Sequence, residues 1–265
     1  MRIQFAKSRV ALYCAVLFLL FTVAAQADNV AYMGTVSGDF GTIDLNTGVF
    51  TLLGNSGVTL AGMAVANKTL YGTSYHTSTG ILYSVNPANG SPTVIGTSSL
   101  DIDDFGSTTS GLYAVGVDAN LYSINASTGA ATLIGPTGLG FGSWRSLSTN
   151  SSTLYFADGV NLYTLNTSTG AATLIGNMGG PEMGAMVLEG GFLYGGANLP
   201  SLAVDTLNTT TGSATGGPSV TGTSSSFFAL APNPIPSSTP EPNSLVLLGS
   251  GLLGLAGIAR RKINL

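Results

Sequence analysis

The sequence predicts an all-β chain whose repeats of about 41 residues form a five-bladed β-propeller. Three observations carry that expectation. First, one segment recurs: FGTIDLNTGVFTLLG from Phe40, LYSVNPANGSPTVIG from Leu82, LYSINASTGAATLIG from Leu121 and LYTLNTSTGAATLIG from Leu162, with a worn copy, DTLNTTTGSATGG, from Asp205. The shared glycine falls at 48, 90, 129, 170 and 212, in steps of 42, 39, 41 and 42 residues. Second, each copy alternates β-prone segments with turn residues rather than showing a helical period. Third, the two ends of the repeat region hold complementary fragments of one unit.

Within LYSINASTGAATLIG the strands are expected at Leu121–Asn125 and Ala131–Gly135. Asn125 is placed to bond the turning backbone, and Gly129 supplies the positive φ that closes such a loop. A second strand type follows from TLYGTS at Thr69, GLYAVG at Gly111, TLYFAD at Thr153 and FLYGGA at Phe192. Seven residues before each Leu of these pairs stands Met63, Phe105, Leu147 or Met186, which marks a third type. Each unit thus has four strands, with the Met/Phe/Leu strand innermost. VAYMGT at Val30 resembles a Leu-Tyr strand lacking a predecessor, and SFFALAPN at Ser226 resembles an innermost strand lacking a successor. Side by side they complete a fifth blade and remove an open sheet edge. Phe228 aligns with the Met63 set, and all five positions read as core, each worth about 1.5–3 kcal/mol on burial.

The chain has 265 residues and a formal charge of −4. That figure hides an uneven distribution. Between the two hydrophobic ends the only basic residues are Lys68 and Arg145, against eleven acids from Asp28 to Asp205. A body of that sign argues against nucleic acid and other acidic polymers as partners. At the N-terminus Arg2, Lys7 and Arg9 precede an apolar run from Val10 to Ala25 and an Ala25-Gln26-Ala27 site. This describes a signal peptide over 1–27, cut before Asp28. Cys14, the single cysteine, lies inside it, too early in the run and behind Tyr13 for a lipid-modified residue. The mature chain therefore has no disulfide, thiolate metal site or cysteine nucleophile.

Candidate chemistry is sparse in the body, over 28–232. His76 is the lone histidine, in the polar loop SYHTSTG, so a multi-histidine metal site is impossible and a histidine-based triad unsupported. Asp101, Asp103 and Asp104 form the densest acidic cluster. Their carboxylates are the hard oxygen donors that Ca²⁺ prefers, without the spacing of an EF-hand; a solvated turn entering a strand accounts for them too. No other cofactor is expected. Asp103 and Arg145 each stand nine residues before the Leu of their own Leu-Tyr pair, so they occupy equivalent positions on neighbouring blades. They fit a blade-joining ion pair, or a polar site at the channel mouth with Trp144 as a ring on which a sugar stacks. No catalytic residue is assigned.

After Ala231 the prolines at 232, 234 and 236 mark an extended spacer, with the linker over 233–239. Then come Pro240-Glu241-Pro242, an apolar run from Leu245 to Ile258, and Arg260, Arg261 and Lys262. Counted from Ser244, the run rises about 22 Å as a helix, short of a hydrocarbon core of about 30 Å. Its basic end places the tail inside and the body outside. Four glycines, at 249, 251, 254 and 257, are more than a plain anchor requires, and Ser250 and Gly254 make a face for close helix contact. This order over 240–265 closely resembles the PEP-CTERM sorting signal of Gram-negative bacteria. The resemblance implies recognition by an exosortase-type membrane enzyme, transient residence in the inner membrane, removal of the tail, and delivery to the cell surface or matrix. Family members often accompany exopolysaccharide production, so polysaccharide or a surface protein is the expected partner. The tail transfers an address and no activity. The expectation is a non-enzymatic binding or structural propeller of biofilm or surface; the alternative is a secreted lyase or hydrolase acting on glycans.

Overall fold

A computed structural model describes residues 29–75, 77–140, 145–148, 152–180, 182–199 and 201–233. The expected signal peptide with Ala25 and Ala27, the residues His76 and Trp144, and the sorting tail with Pro240, Glu241, Pro242, Arg260, Arg261 and Lys262 lie outside those residues.

The chain runs in β-strands throughout. The first three are β1 (Val30–Thr35), β2 (Asp39–Asp44) and β3 (Phe50–Asn55). Four-strand units follow in order: β4 (Leu60–Ala66), β5 (Thr69–Ser74), β6 (Ile81–Val85) and β7 (Pro92–Thr97); then β8 (Ile102–Thr108), β9 (Gly111–Gly116), β10 (Asn120–Ile124) and β11 (Ala131–Pro136). The next unit is β12 (Arg145–Leu147), β13 (Leu154–Asp158), β14 (Asn161–Leu165) and β15 (Ala172–Asn177). The last is β16 (Glu182–Glu189), β17 (Phe192–Leu199), β18 (Ala203–Leu207) and β19 (Ala214–Thr215). Finally β20 (Phe227–Pro232) returns to pair with β1, Ala31 opposite Pro232 and Met33 opposite Leu230. The result is five antiparallel four-stranded sheets, blade 1 being β20-β1-β2-β3 and blades 2 to 5 running in chain order. The inner strands β20, β4, β8, β12 and β16 contact one another in a closed cycle, which makes the five-bladed propeller a ring.

The repeated turn forms as its residues require. Asn125 Oδ1 accepts from the backbone N–H groups of Ser127 at 2.9 Å and Thr128 at 3.1 Å, and Gly129 takes φ 73°. Asn86, Asn166 and Asn208 cap their own turns similarly, and Asp44 does so in blade 1. The core lies between blades, in five clusters that each bridge two neighbours. Met63 packs against Tyr32 and Phe40 of blade 1, Phe105 against Tyr71 and Leu82 of blade 2, and Leu147 against Tyr113 and Val115 of blade 3. Met186 packs against Ala157 and Leu162 of blade 4, and Leu230 against Val187 and Val204 of blade 5.

Leu230 corrects the expectation placed on Phe228. A β-bulge lies where Gly34 pairs with Ala229 but Thr35 pairs with Phe227, so Phe228 is the extra residue. Leu230 opposite Met33 is then the counterpart of Met63 opposite Gly72. Matching bulges in blades 2, 3 and 5 skip Ala61, Asp103 and Gly184.

A backbone contact joins the blades at their rims. The glycine ending each T-x-x-G strand meets the turn of the next blade: Gly54 with Asn89, Gly96 with Thr128, Gly135 with Thr169 and Gly176 with Thr211. A Cβ on any of these four would collide with the facing carbonyl oxygen. Gly135→Ala should therefore lower unfolding free energy by about 1–3 kcal/mol, the cost of overpacking. Gly111→Ala, where nothing lies within 4 Å, should stay within about 0.5 kcal/mol of wild type. Urea unfolding of the two variants measures the difference.

Candidate functional site

Every inner strand starts at the same end of the ring, the upper face, and ends at the lower face. Arg145 opens β12 at the upper face, and its side chain is almost wholly buried. Its Nη1 donates to Asp103 Oδ2 at 3.2 Å, across the junction to blade 3. Its Nε donates to Asp158 Oδ1 at 3.4 Å on β13, and its Nη2 to the Gly140 carbonyl oxygen at 2.5 Å. One guanidinium thus ties blade 3, its own blade and the preceding loop together, a use of several fixed N–H donors that suits arginine. Sequence spacing brings out Asp103 and Arg145 but not Asp158. Asp158 was legible in principle, because it stands four residues after Leu154 and so faces the Arg145 position in the hairpin register.

Asp104 sits beside Asp103 in sequence but points elsewhere. It is buried, and Oδ1 accepts from the N–H of Phe105 at 2.7 Å while Oδ2 accepts from the N–H of Leu147 on blade 4. The equivalent positions on other blades are Gly62, Ser146, Ala185 and Ala229, all small. Asp104 fills the gap between two inner strands and supplies an acceptor to a strand only three residues long. Burial pushes its carboxyl well above the ordinary range; the two backbone N–H groups pull it down, and the charge of Asp103 raises it further. Asp101 lies in the turn before β8, near enough for its charge, with that of Asp103, to add to burial in raising Tyr75. Among the described residues, no three His, Cys, Asp or Glu side chains are grouped to hold a metal ion.

A separate hollow opens on blade 4. It holds about 370 Å³ and is lined by Ser152, Thr153, Thr164, Asn166, Thr167 and Thr173, with Leu154 and Leu165 between them. Its lining carries hydroxyl and amide groups and no ionisable side chain. The sequence held a signal for it only in the Ser/Thr-rich loop composition.

The PEP-CTERM protein-sorting motif is matched at residues 238–262. No curated protein matches the chain. Among solved structures the chain is similar to one from a nidogen/laminin complex, at 13% identity and TM-score 0.47, covering 76% of this chain and 97% of that one. It is similar to a putative 6-phosphogluconolactonase from Bacteroides uniformis, at 13% identity and TM-score 0.40, covering 75% and 69%. It is also similar to BamB from Moraxella catarrhalis, at 11% identity and TM-score 0.36, covering 72% and 70%. These likenesses are too distant to carry an activity, and the propeller rests on the strand pairing itself. The sorting motif implies an exported protein, recognised by an exosortase and anchored through its C-terminus before processing.

The buried Asp104 makes stability depend on pH in a stated direction. Its folded value lies above the unfolded value of about 3.9, so the folded chain binds the extra proton between those two values. The contribution of this group is fully present below the unfolded value and is lost as pH rises through the raised one. Melting temperatures measured across that window should fall with rising pH for the wild type, and Asp104→Asn should remove that component.

Proposed function

We propose that this is a non-enzymatic surface or matrix propeller that binds a neutral exopolysaccharide after an exosortase-type enzyme has released its tail. The hollow on blade 4 carries the reading. Its volume of about 370 Å³ suits a short stretch of sugar residues, and its Ser, Thr and Asn groups match sugar hydroxyls as donors and acceptors. A site of this kind holds a glycan without an acid–base pair to cleave it. The charged groups at the upper face support the same reading from another direction. Arg145 is engaged by two carboxylates and a carbonyl oxygen, and Asp104 by two backbone N–H groups, so both work in holding blades together.

Electrophoresis through a gel containing dextran, or the host's own exopolysaccharide, tests the binding. Retardation of the wild type, reduced at least threefold by Thr164→Val combined with Thr173→Val, is the expected result. Unretarded migration overturns the polysaccharide reading, and the appearance of new reducing ends overturns the non-enzymatic one.

The tail has its own test in the native host. Replacing Pro240, Glu241 and Pro242 with alanine should leave an exported chain at its uncut mass in the membrane fraction. A wild-type chain that keeps residues 240–265 would overturn release.

A further inference from the structure

We infer that, while the tail is still in the membrane, the propeller lies with its lower face on the lipid surface and its acidic upper face outward. The inference rests on C-terminal anchoring and is independent of the polysaccharide reading. Three observations converge on it.

The first is where the chain leaves the ring. Ala31 pairs with Pro232, so the first and last strands meet the lower face side by side in blade 1. From Asn233 to Leu245, where the apolar run begins, twelve residues reach at most about 40 Å. The lower face is therefore the one the tail draws towards the bilayer.

The second is charge. Asp39, Asp101, Asp103, Asp118, Asp158 and Glu182 stand at upper ends of their strands or in the loops there, against Arg145 alone, for a formal −5. The lower ends carry Asp44, Glu189 and Lys68, for a formal −1. An anionic lipid surface attracts lysine and repels carboxylates, which orients the molecule in the sense the tether already sets. Lys68 stands at the tip of the β4–β5 turn, in the blade next to the chain ends.

The third is an exposed aromatic on the other side of those ends. Phe192, in blade 5, is 56% exposed and lies 6.4 Å from the Tyr194 ring. The Tyr194 hydroxyl accepts from Asn29 Nδ2 at 3.0 Å, which fixes this pair beside the start of β1. Interfacial segments bury Phe, like Trp and Leu, at the boundary of headgroups and acyl chains. Phe192, the two chain ends and Lys68 thus occupy three consecutive blades of one face; the hollow of blade 4 opens on that same lower face, beside blade 5, and is exposed once the tail is released.

The test uses the chain from Asp28 to Leu265, which has no cysteine of its own, reconstituted in vesicles of phosphatidylethanolamine and phosphatidylglycerol. Reporter cysteines are placed at Ser110→Cys on the lower face and Val36→Cys on the upper. Labelling by a polyethylene-glycol maleimide, relative to the same protein in detergent, should slow at least threefold at position 110 and stay within twofold at position 36. Adding Phe192→Ser and Lys68→Glu should restore the rate at 110 while the chain still floats with the vesicles. Equal rates at the two positions, slowing confined to position 36, or no response to the added substitutions overturns the docking. A chain that fails to float overturns C-terminal anchoring, and the docking with it.

Discussion

The backbone of Gly135 lies against the carbonyl oxygen of Thr169, and the same meeting of strand glycine and turn is made by Gly54, Gly96 and Gly176. This close approach sets how far apart neighbouring blades sit, and the rest of the ring depends on it. With the rims held at that distance, the side chains of Met63, Phe105, Leu147, Met186 and Leu230 reach the preceding blade and exclude water. The facing glycines at 90, 129, 170 and 212 have φ between 73° and 83°, so one residue closes the turn and presents a bare backbone to its neighbour. The fifth junction departs from the pattern. There Gly48 meets Ser219, and Phe50 and Thr221 exchange backbone bonds with the segment opposite, so the strand ending blade 5 is shortened to two residues.

Buried polar side chains appear where that regularity lapses. Asp104 receives the N–H of Leu147 beside the short β12. Asn198 acts at the ring closure: Nδ2 donates to the Phe227 carbonyl oxygen at 3.1 Å, and Oδ1 accepts from the Phe227 N–H at 2.9 Å. Both side chains satisfy inner-strand backbone that a neighbouring strand does not, which a buried ring requires. Arg145 plays a comparable part at the upper face with its charge compensated by two carboxylates. Desolvation offsets much of the attraction in such buried pairs.

Most of the architecture was legible in the sequence because each blade repeats the same local chemistry. The turn sequence N-A-S-T-G specifies its own hydrogen bonds, and the distance between glycines gives blade length directly. The complementary half-units at Val30 and Ser226 revealed the closure for the same reason. What escaped was whatever depends on comparing distant segments. Phe228 was placed two residues from its true equivalent because no continuous spacing links β20 to β1; the bulge residue itself recurs as Ala61, Asp103 and Gly184 and shifts nothing between blades. The pairing of Asp103 with Arg145 could be anticipated from equal offsets, whereas the inward turn of Asp104 could not, since alternation along a bulged strand is not fixed by sequence. The hollow of blade 4 was foreshadowed only by Ser/Thr-rich loop composition, because common loop residues form it only when two hairpin ends come together.

The placement of β20 also orders events in time. The sheet containing β1 has no inner strand until residues 227–232 arrive, though β1 itself is among the first parts of the body to be made. Until β20 is present that edge of β1 has no partner strand. The sorting motif starts at residue 238, six residues after β20 ends. Completion of the ring and arrival of the address are therefore almost simultaneous. A chain broken off before residue 227 lacks both the inner strand of blade 1 and the sorting motif.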